Sequence, residues 1–211
     1  DSKGNIFEGD WKNNFKHGKG ALLYNNKDKY EGDWENNFKH GKGKIVYANG
    51  DIYDGEWAND KKEGYGKLII IINGIEYLGY FKDDSYHGEG TYKTAIGDYY
   101  KGNWELGKKE GNGIYVSSIG DRYEGSWKND MKHDYGKYEF ADGDRYEGFW
   151  ENDKIIGKGI YEFANGGRCE GNFLDGKLNG DGLFHFSNGD KYKGAFKNGK
   201  REGFGIFTLT D

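Results

Sequence analysis

The chain has 211 residues, of which 34% are hydrophobic and 38 are glycine, and it contains no proline. This composition excludes a thick globular core, but the 18% aromatic content supplies large side chains that can cover one face of a thin sheet. A net charge of −5 argues against a broad anionic-membrane surface and against a nucleic-acid partner. The longest apolar run, Leu68 to Ile72, is too short to span a membrane, and a single cysteine is typical of the reducing cytoplasm.

One short motif, a large residue followed by a variable residue and glycine, recurs through the whole sequence. Its spacing is 23 residues, with one slip to 24, which divides residues 1–211 into one array of nine repeats. The motif starts at Phe7, Tyr30, Tyr53, Tyr77, Tyr100, Tyr123, Tyr146, Cys169 and Tyr192. Because Gly4-Asn5 resembles the turn that closes a repeat, we expect the array to be the C-terminal part of a longer one.

Each repeat has the pattern of a β-hairpin. Tyr30 to Trp34 alternate aromatic and polar residues, Gly41 to Tyr47 form a second alternating run, and Asn49-Gly50 is a strong hairpin turn signal. The sequence therefore predicts an all-β protein of about eighteen antiparallel strands in a single layer. Such a solenoid-like sheet is expected to be a rod or arc roughly 85 Å long.

The glycines are interpreted as packing positions. If the starting aromatic faces the residue 17 places later, Trp34 lies across from Gly43 and Ile45 across from Gly32. Each large side chain would then face a glycine, which has no side chain, on the neighbouring strand.

The Tyr-Glu-Gly-x-Trp core at Tyr30 to Trp34, the Gly-x-Gly at Gly41 to Gly43 and the Ala-Asn-Gly-Asp turn at Ala48 to Asp51 resemble the MORN repeat (membrane occupation and recognition nexus). The resemblance covers essentially the whole chain. It implies a non-enzymatic, elongated antiparallel sheet that acts as a dimeric scaffold or as a module of a larger enzyme. The chain is rich in Asn, Lys, Ile and Tyr and has no proline, which is typical of proteins encoded by AT-rich genomes. Together with the repeat array, this composition resembles that of the MORN scaffold of apicomplexan parasites, which belongs to the basal cytoskeletal ring of dividing cells.

Several positions depart from the repeat. The extra residue within Leu68 to Gly74 predicts a β-bulge, or else a strand covered on both faces. Asp134 replaces a glycine that is expected to need positive φ. Two recurrent residue types are assigned to the hairpin loops rather than to metal sites: the histidines His17, His40, His87 and His133, and the turn aspartates Asp51, Asp98, Asp121, Asp144 and Asp190.

Cys169 replaces the starting aromatic of the eighth repeat. It is interpreted as an inert, small hydrophobic residue. The alternative is that Cys169 and His185 form half of a zinc site or disulfide contact that a second chain completes, although the predicted register starts their side chains on opposite faces. No other cofactor is expected, and no catalytic set can be assembled.

Lipid binding is expected to be weak or indirect. Only the last loop, with Lys197, Lys200 and Arg201, offers a local contact for an anionic headgroup. Phosphoinositide binding, or targeting of a larger enzyme, is therefore the alternative function.

Protein association is the favoured function, because the second face of the sheet turns apolar toward the end of the chain. We expect a homodimer formed through the C-terminal repeats that organises cytoskeletal or other scaffold proteins in the cytoplasm, at the cytoskeleton or near membranes. The expected interface residues are Phe149, Leu183, Ala195, Phe204 and Ile206.

Overall fold

The structure, a computed structural model, describes residues 4–210. The chain forms two compact units, and the boundary between them lies between Lys108 and Lys109. Unit 1 is one antiparallel sheet whose strands pair in chain order. Its strands are β1 Ile6–Lys12, β2 Phe15–Leu23, β3 Lys29–Glu35, β4 Phe38–Val46, β5 Ile52–Ala58, β6 Lys61–Ile70, β7 Ile75–Lys82, β8 Ser85–Lys93 and β9 Tyr99–Glu105.

Unit 2 is built in the same way. Within residues 4–210 the only helix is a single 3-10 turn, Ile71–Asn73, so the prediction of an all-β, single-layer fold of hairpin repeats is confirmed. The strands of unit 2 are β10 Lys108–Val116, β11 Arg122–Lys128, β12 Met131–Glu139, β13 Arg145–Glu151, β14 Lys154–Glu162, β15 Arg168–Leu174, β16 Lys177–His185, β17 Lys191–Lys197 and β18 Lys200–Thr208.

Two kinds of turn alternate along the chain. The turn inside a repeat has two residues, such as Asn36 and Asn37, and both have positive φ (49° and 73°) as a type I′ hairpin requires. The loop between repeats is longer. In the pair Asn49-Gly50 only Gly50 is left-handed (φ 91°), while Oδ1 of Asn49 accepts the N–H of Asp51 at 3.0 Å. The tight turn therefore lies within the repeat and not at the predicted Asn-Gly pair.

The predicted register is wrong, because the turn is tighter than expected and a bulge follows it. Tyr30 pairs with Ile45, Gly32 with Gly43 and Trp34 with Lys39, and the register shifts after Gly32. Across the next strand pair Gly43 faces Gly55. The glycines thus form a continuous row across the strands of each unit, facing one another rather than the tryptophans.

The side chain that covers the glycine row is the starting tyrosine. The Tyr30 hydroxyl donates to the backbone oxygen of Asp33 at 2.9 Å, so the ring lies along its own strand and over Gly32. A Cβ placed on Gly32 would stand 2.6 Å from the Tyr30 hydroxyl oxygen. Six such tyrosines are almost fully buried: Tyr30, Tyr53, Tyr77, Tyr100, Tyr123 and Tyr146.

The tryptophans couple one repeat to the next. The Trp34 indole N–H donates to the backbone oxygen of Gly20 in the preceding repeat at 3.0 Å, and its ring packs edge-on against Phe7 and Tyr30. Lys16 lies over the Trp34 ring with its Nζ 4.5 Å from the ring centre. Lys39 and Lys62 lie in the same way over the rings of Trp57 and Tyr53, so lysines cover the aromatic face of these repeats, which favours a structural role for the rings.

Aspartates in the long loops also link successive repeats. Oδ1 of Asp51 accepts the N–H of Ile71, 20 residues later, at 2.8 Å, while its other carboxylate oxygen accepts from the Asn49 side chain at 2.8 Å. Asp121 and Asp144 make the same contact with Ala141 and Ala164. These hydrogen bonds agree with the assignment of the aspartates to turn chemistry.

Three local predictions are corrected. The extra residue of the third repeat does not form a bulge, because β6 ends at Ile70 and the 3-10 turn absorbs the insertion before left-handed Gly74 (φ 59°). Asp134 has φ 52°, as expected, but it lies inside β12 opposite Trp150 and not in a turn. The four histidines also lie inside strands, because the turn takes only two residues: His17 in β2, His40 in β4, His87 in β8 and His133 in β12.

Candidate interaction surfaces

The second face of unit 2, opposite the tyrosine and tryptophan rings, carries exposed apolar side chains toward its last strands. Phe204 and Ile206 lie in β18 with 87% and 60% of their surfaces exposed. Because residues two apart in a strand point to the same side, the two side chains share a face. Ile206 pairs with Lys193 of β17, which pairs in turn with Leu183 of β16, and Ala195 lies two residues beyond Lys193.

Phe149 lies farther along the same face, in β13, and it is 45% exposed. It packs edge-on against Tyr135 with ring centres 5.6 Å apart. The two rings line a shallow groove of about 410 Å³, and Ile160 and Asp181 line it as well. The structure therefore places all five predicted interface residues in unit 2, with Phe149 beside this groove and the other four on β16 to β18.

Sequence reasoning missed a comparable patch in unit 1. Tyr65, Leu78 and Tyr80 are each 43 to 50% exposed on neighbouring strands β6 and β7. Tyr65 pairs directly with Tyr80, with the ring centres 5.3 Å apart. Strand alternation alone would have found them, because they occupy the same repeat positions as the polar residues Lys42, Glu31 and Asp33 of the second repeat.

The three cations proposed for lipid contact surround one turn. Lys197 and Lys200 face each other across the β17–β18 turn, and all three side chains are exposed. The Arg201 guanidinium lies 5.4 Å from the ring centres of both Tyr192 and Phe207. Arg201 therefore covers the aromatic face of the last repeat, as Lys16 does in the first.

The comparison with protein families decides the identity of the array. The MORN repeat model matches nine segments: residues 7–29, 30–52, 53–70, 77–99, 100–122, 123–145, 146–168, 169–191 and 192–211. The chain belongs to the MORN repeat family. The MORN repeat is a structural or binding repeat, so the chain is a repeat scaffold or binding module. No curated protein matches the chain in a sequence search.

Solved structures similar to this MORN array include two from Drosophila melanogaster and one from Danio rerio. The TCP domain of Drosophila SAS-4 with a proline-rich motif of Ana2 has 13% identity and a TM-score of 0.35, covering 82% of this chain and 81% of that one. The TCP10 domain of Danio rerio CPAP with a STIL peptide has 10% identity and a TM-score of 0.34, covering 98% and 99%. The TCP10c domain of Drosophila Sas-4 has 13% identity and a TM-score of 0.36, covering 85% and 93%.

The MORN array does not bring Cys169 and His185 together. Cys169 is buried and pairs with Phe184 and Tyr161, whereas His185 pairs with Arg168, so the two side chains leave their strands on opposite sides. Within residues 4–210 no group of three or more histidine, cysteine or acidic side chains could hold a metal ion. The same part of the chain contains no helix long and apolar enough to cross a membrane.

The Cys169 thiol is expected to be unreactive in the folded protein. Burial raises the pKa of this thiol to about 11, which keeps it protonated at neutral pH. A thiol reagent added at pH 8 should leave Cys169 unmodified until denaturant unfolds the repeat, when the single thiol should react completely. Rapid, complete labelling of the native protein would contradict a buried packing role.

Proposed function

We propose that this MORN array is a non-enzymatic scaffold that forms a homodimer through its C-terminal repeats and organises cytoskeletal or membrane-associated proteins in the cytoplasm. The observation that carries the proposal is the exposure of Phe204 (87%) and Ile206 (60%) on one face of β18. Two large apolar side chains side by side on a thin sheet favour burial against another molecule.

The neighbouring strands extend this surface. Leu183 and Ala195 are half-buried on the adjacent strands β16 and β17, and Lys193 lies between Leu183 and Ile206. A stable homodimer usually buries about 800 Å² from each partner, which requires a patch of several strands. A single surface that pairs with itself gives closed two-fold symmetry, the most common arrangement of homo-oligomers.

The test is the oligomeric state of the 211-residue chain, measured by light scattering at tens of micromolar. The wild-type chain is expected to be a dimer, and Phe204→Glu a monomer, because the substitution places a charge in the proposed interface. Leu174→Glu is the matched control. Leu174 is also an exposed apolar residue of unit 2 (56%), but it ends β15 at a turn, and its substitution should leave the dimer intact.

Two outcomes would contradict the proposed interface. The first is a wild-type chain that is monomeric at these concentrations. The second is a dimer that Phe204→Glu leaves as stable as the Leu174→Glu control. Far-UV circular dichroism should show the same strand content for all three chains, so that a change in mass is not confused with unfolding.

An electrostatic lipid contact is the second candidate. It rests on the exposed cluster of Lys197, Lys200 and Arg201 around one turn. The neighbouring Glu202 and the net charge of −5 oppose it. We therefore expect any binding to phosphoinositide vesicles at physiological salt to be weak and to disappear when these three charges are reversed.

A further inference from the structure

Three long loops of equal length carry an asparagine followed by glycine, at Asn49-Gly50, Asn165-Gly166 and Asn188-Gly189. Such a pair is prone to spontaneous deamidation, because glycine has no side chain to keep its backbone nitrogen away from the asparagine amide. The other asparagine–glycine pairs have a different backbone: Asn73 lies in the 3-10 turn, Asn112 and Asn179 lie in strands, and Asn198 lies in a two-residue turn.

In two of the three loops, an aspartate two residues after the asparagine holds the amide with two hydrogen bonds. Oδ1 of Asn49 accepts the backbone N–H of Asp51 at 3.0 Å, and Nδ2 of Asn49 donates to Oδ2 of Asp51 at 2.8 Å. Asn188 and Asp190 make the same two contacts at 3.1 and 2.9 Å. The aspartate therefore fixes the orientation of the amide in both loops.

The loop of the seventh repeat lacks this aspartate, because Gly167 takes its place. Oδ1 of Asn165 still accepts the backbone N–H of Gly167 at 2.9 Å. Its Nδ2 has no hydrogen-bond partner within residues 4–210. Asn165 and Gly166 are both exposed, so water reaches the amide. One of the two hydrogen bonds that hold the sibling amides is thus missing at Asn165.

The attacking nitrogen is placed alike in the three loops. The N–H of Gly166 donates to the backbone oxygen three residues earlier at 2.9 Å, and the same hydrogen bond measures 2.9 Å for Gly50 and 3.0 Å for Gly189. All three glycines are left-handed, with φ of 89°, 91° and 94°. The loops therefore differ in what holds the amide and not in the nucleophile.

We propose that Asn165 is a site of spontaneous deamidation by water. The backbone nitrogen of Gly166 forms a bond to Cγ of Asn165, the bond from Cγ to Nδ2 breaks, and the leaving group takes the proton of that nitrogen and departs as ammonia. Water then opens the resulting succinimide ring. Cleavage of the new Cγ–N bond leaves aspartate, and cleavage of the original peptide bond leaves isoaspartate. The step does not involve Phe204, so it does not depend on dimerisation.

The two products differ in what they do to the seventh repeat. The sixth repeat already carries aspartate at this position, where Oδ1 of Asp142 accepts the N–H of Asp144 at 3.1 Å, so aspartate keeps the turn and adds a negative charge. Isoaspartate lengthens the main chain by a methylene between Phe163 and Gly166, whose hydrogen bond closes the turn. Because the Phe163 ring packs against Phe184 with centres 5.6 Å apart, this change reaches the packing of the eighth repeat.

The test incubates the folded 211-residue chain at physiological temperature and pH and follows each asparagine by peptide mapping with mass spectrometry. Replacement of the amide by a carboxyl group changes the peptide mass, and isoaspartyl methyltransferase labels the isoaspartate fraction. Asn165 is expected to react at least about tenfold faster than Asn49 or Asn188. In those two loops a hydrogen bond to a carboxylate must break before the amide can turn toward the nitrogen.

Two substitutions at Gly167 separate the carboxylate from the backbone. Gly167 is not left-handed, and a Cβ there would stand 3.2 Å from Oδ1 of Asn165 and 3.4 Å from Cδ2 of Phe163, so both variants should fold. Gly167→Asp restores the residue of the sibling loops and should slow Asn165 to the rate of Asn188. Gly167→Ala is the matched control. It adds a side chain without a carboxylate and should leave the reaction of Asn165 fast.

The same incubation in guanidinium chloride removes the folded loops, and the three asparagines should then react at similar rates. Each of four results overturns the proposal. Asn165 stays intact in the folded chain, or Asn49 and Asn188 react as fast as Asn165. Gly167→Ala slows the reaction as much as Gly167→Asp does, or the difference between the loops persists in the unfolded chain.

Discussion

Replacing Trp127 by alanine is expected to lower the free energy of unfolding of unit 2 by about 3–5 kcal/mol. Trp127 is 5% exposed, and its ring centre lies 5.1 Å from that of Tyr123 in an edge-on contact. Its indole N–H donates to the backbone oxygen of Gly113 in the preceding repeat at 3.2 Å. Truncation therefore removes packing within one repeat and a link to the previous one.

Trp127→Phe separates these two contributions. Phenylalanine occupies the same repeat position at Phe81, Phe173 and Phe196, where it is buried. The variant should keep most of the packing and lose mainly the hydrogen bond, at a cost of about 1 kcal/mol. Urea unfolding followed by far-UV circular dichroism measures both variants, with exposed Lys128→Ala as the control. An alanine variant as stable as the control would mean that Trp127 serves a binding groove rather than the core.

The repeat length, the strand count and the closed aromatic face follow from the sequence because they depend on periodicity. In each first strand the side chains of alternate residues point to the same side, and Tyr30, Gly32 and Trp34, separated by the polar residues Glu31 and Asp33, show this period of two directly. The register does not follow so simply. It depends on which residues form the turn, and the polar segment between Trp34 and Gly41 leaves several choices.

In the structure, the residues with left-handed backbone angles show which part of this segment forms the turn. Asn36 and Asn37 form the type I′ turn, and Gly41 (φ 58°) then bulges the second strand, so that pairs before and after it differ in register. Asp134 shows that the left-handed angle, rather than the absence of a side chain, defines this position (φ 52°). Periodicity cannot detect one left-handed residue inside a strand, and the predicted pairing of Trp34 with Gly43 failed for this reason.

The candidate surfaces were predictable only where the residues on the second face of the sheet change from polar to apolar along the chain. Phe204 and Ile206 stand out because the sibling repeats carry charged residues on this face, such as Lys42 and Lys44. Tyr65 and Tyr80 form a second, half-exposed apolar pair, but a single aromatic pair within a polar stretch gives a weak signal.

The second large effect is expected for Gly159→Ala. Gly159 lies in the glycine row beneath Tyr146, and a Cβ at this position would stand 2.7 Å from both Cε2 and Cζ of that ring. The Tyr146 hydroxyl is held by the backbone oxygen of Phe149 at 3.2 Å, so the ring cannot move aside without losing this contact. Overpacking of this kind costs about 1–3 kcal/mol or more.

Gly182→Ala is the matched control, because the eighth repeat carries Cys169 in place of the tyrosine. The nearest atoms to a Cβ at Gly182 are the backbone oxygen of Glu170 at 3.1 Å and Cδ2 of Phe196 at 3.2 Å. Shifts of a few tenths of an ångström in the Phe196 ring and the Glu170 carbonyl accommodate the methyl group, so this variant should lose less than about 1 kcal/mol.

A double-mutant cycle attributes the difference to the tyrosine. Tyr146→Cys alone removes a buried ring and should destabilise unit 2, but it also recreates the arrangement of the eighth repeat. Adding Gly159→Ala to Tyr146→Cys should then cost much less than adding it to the wild-type chain, with a coupling free energy of at least about 1 kcal/mol in urea unfolding. Additive effects, or equal losses for Gly159→Ala and Gly182→Ala, would show that the glycine row is needed for strand pairing itself and not to accommodate the tyrosine rings.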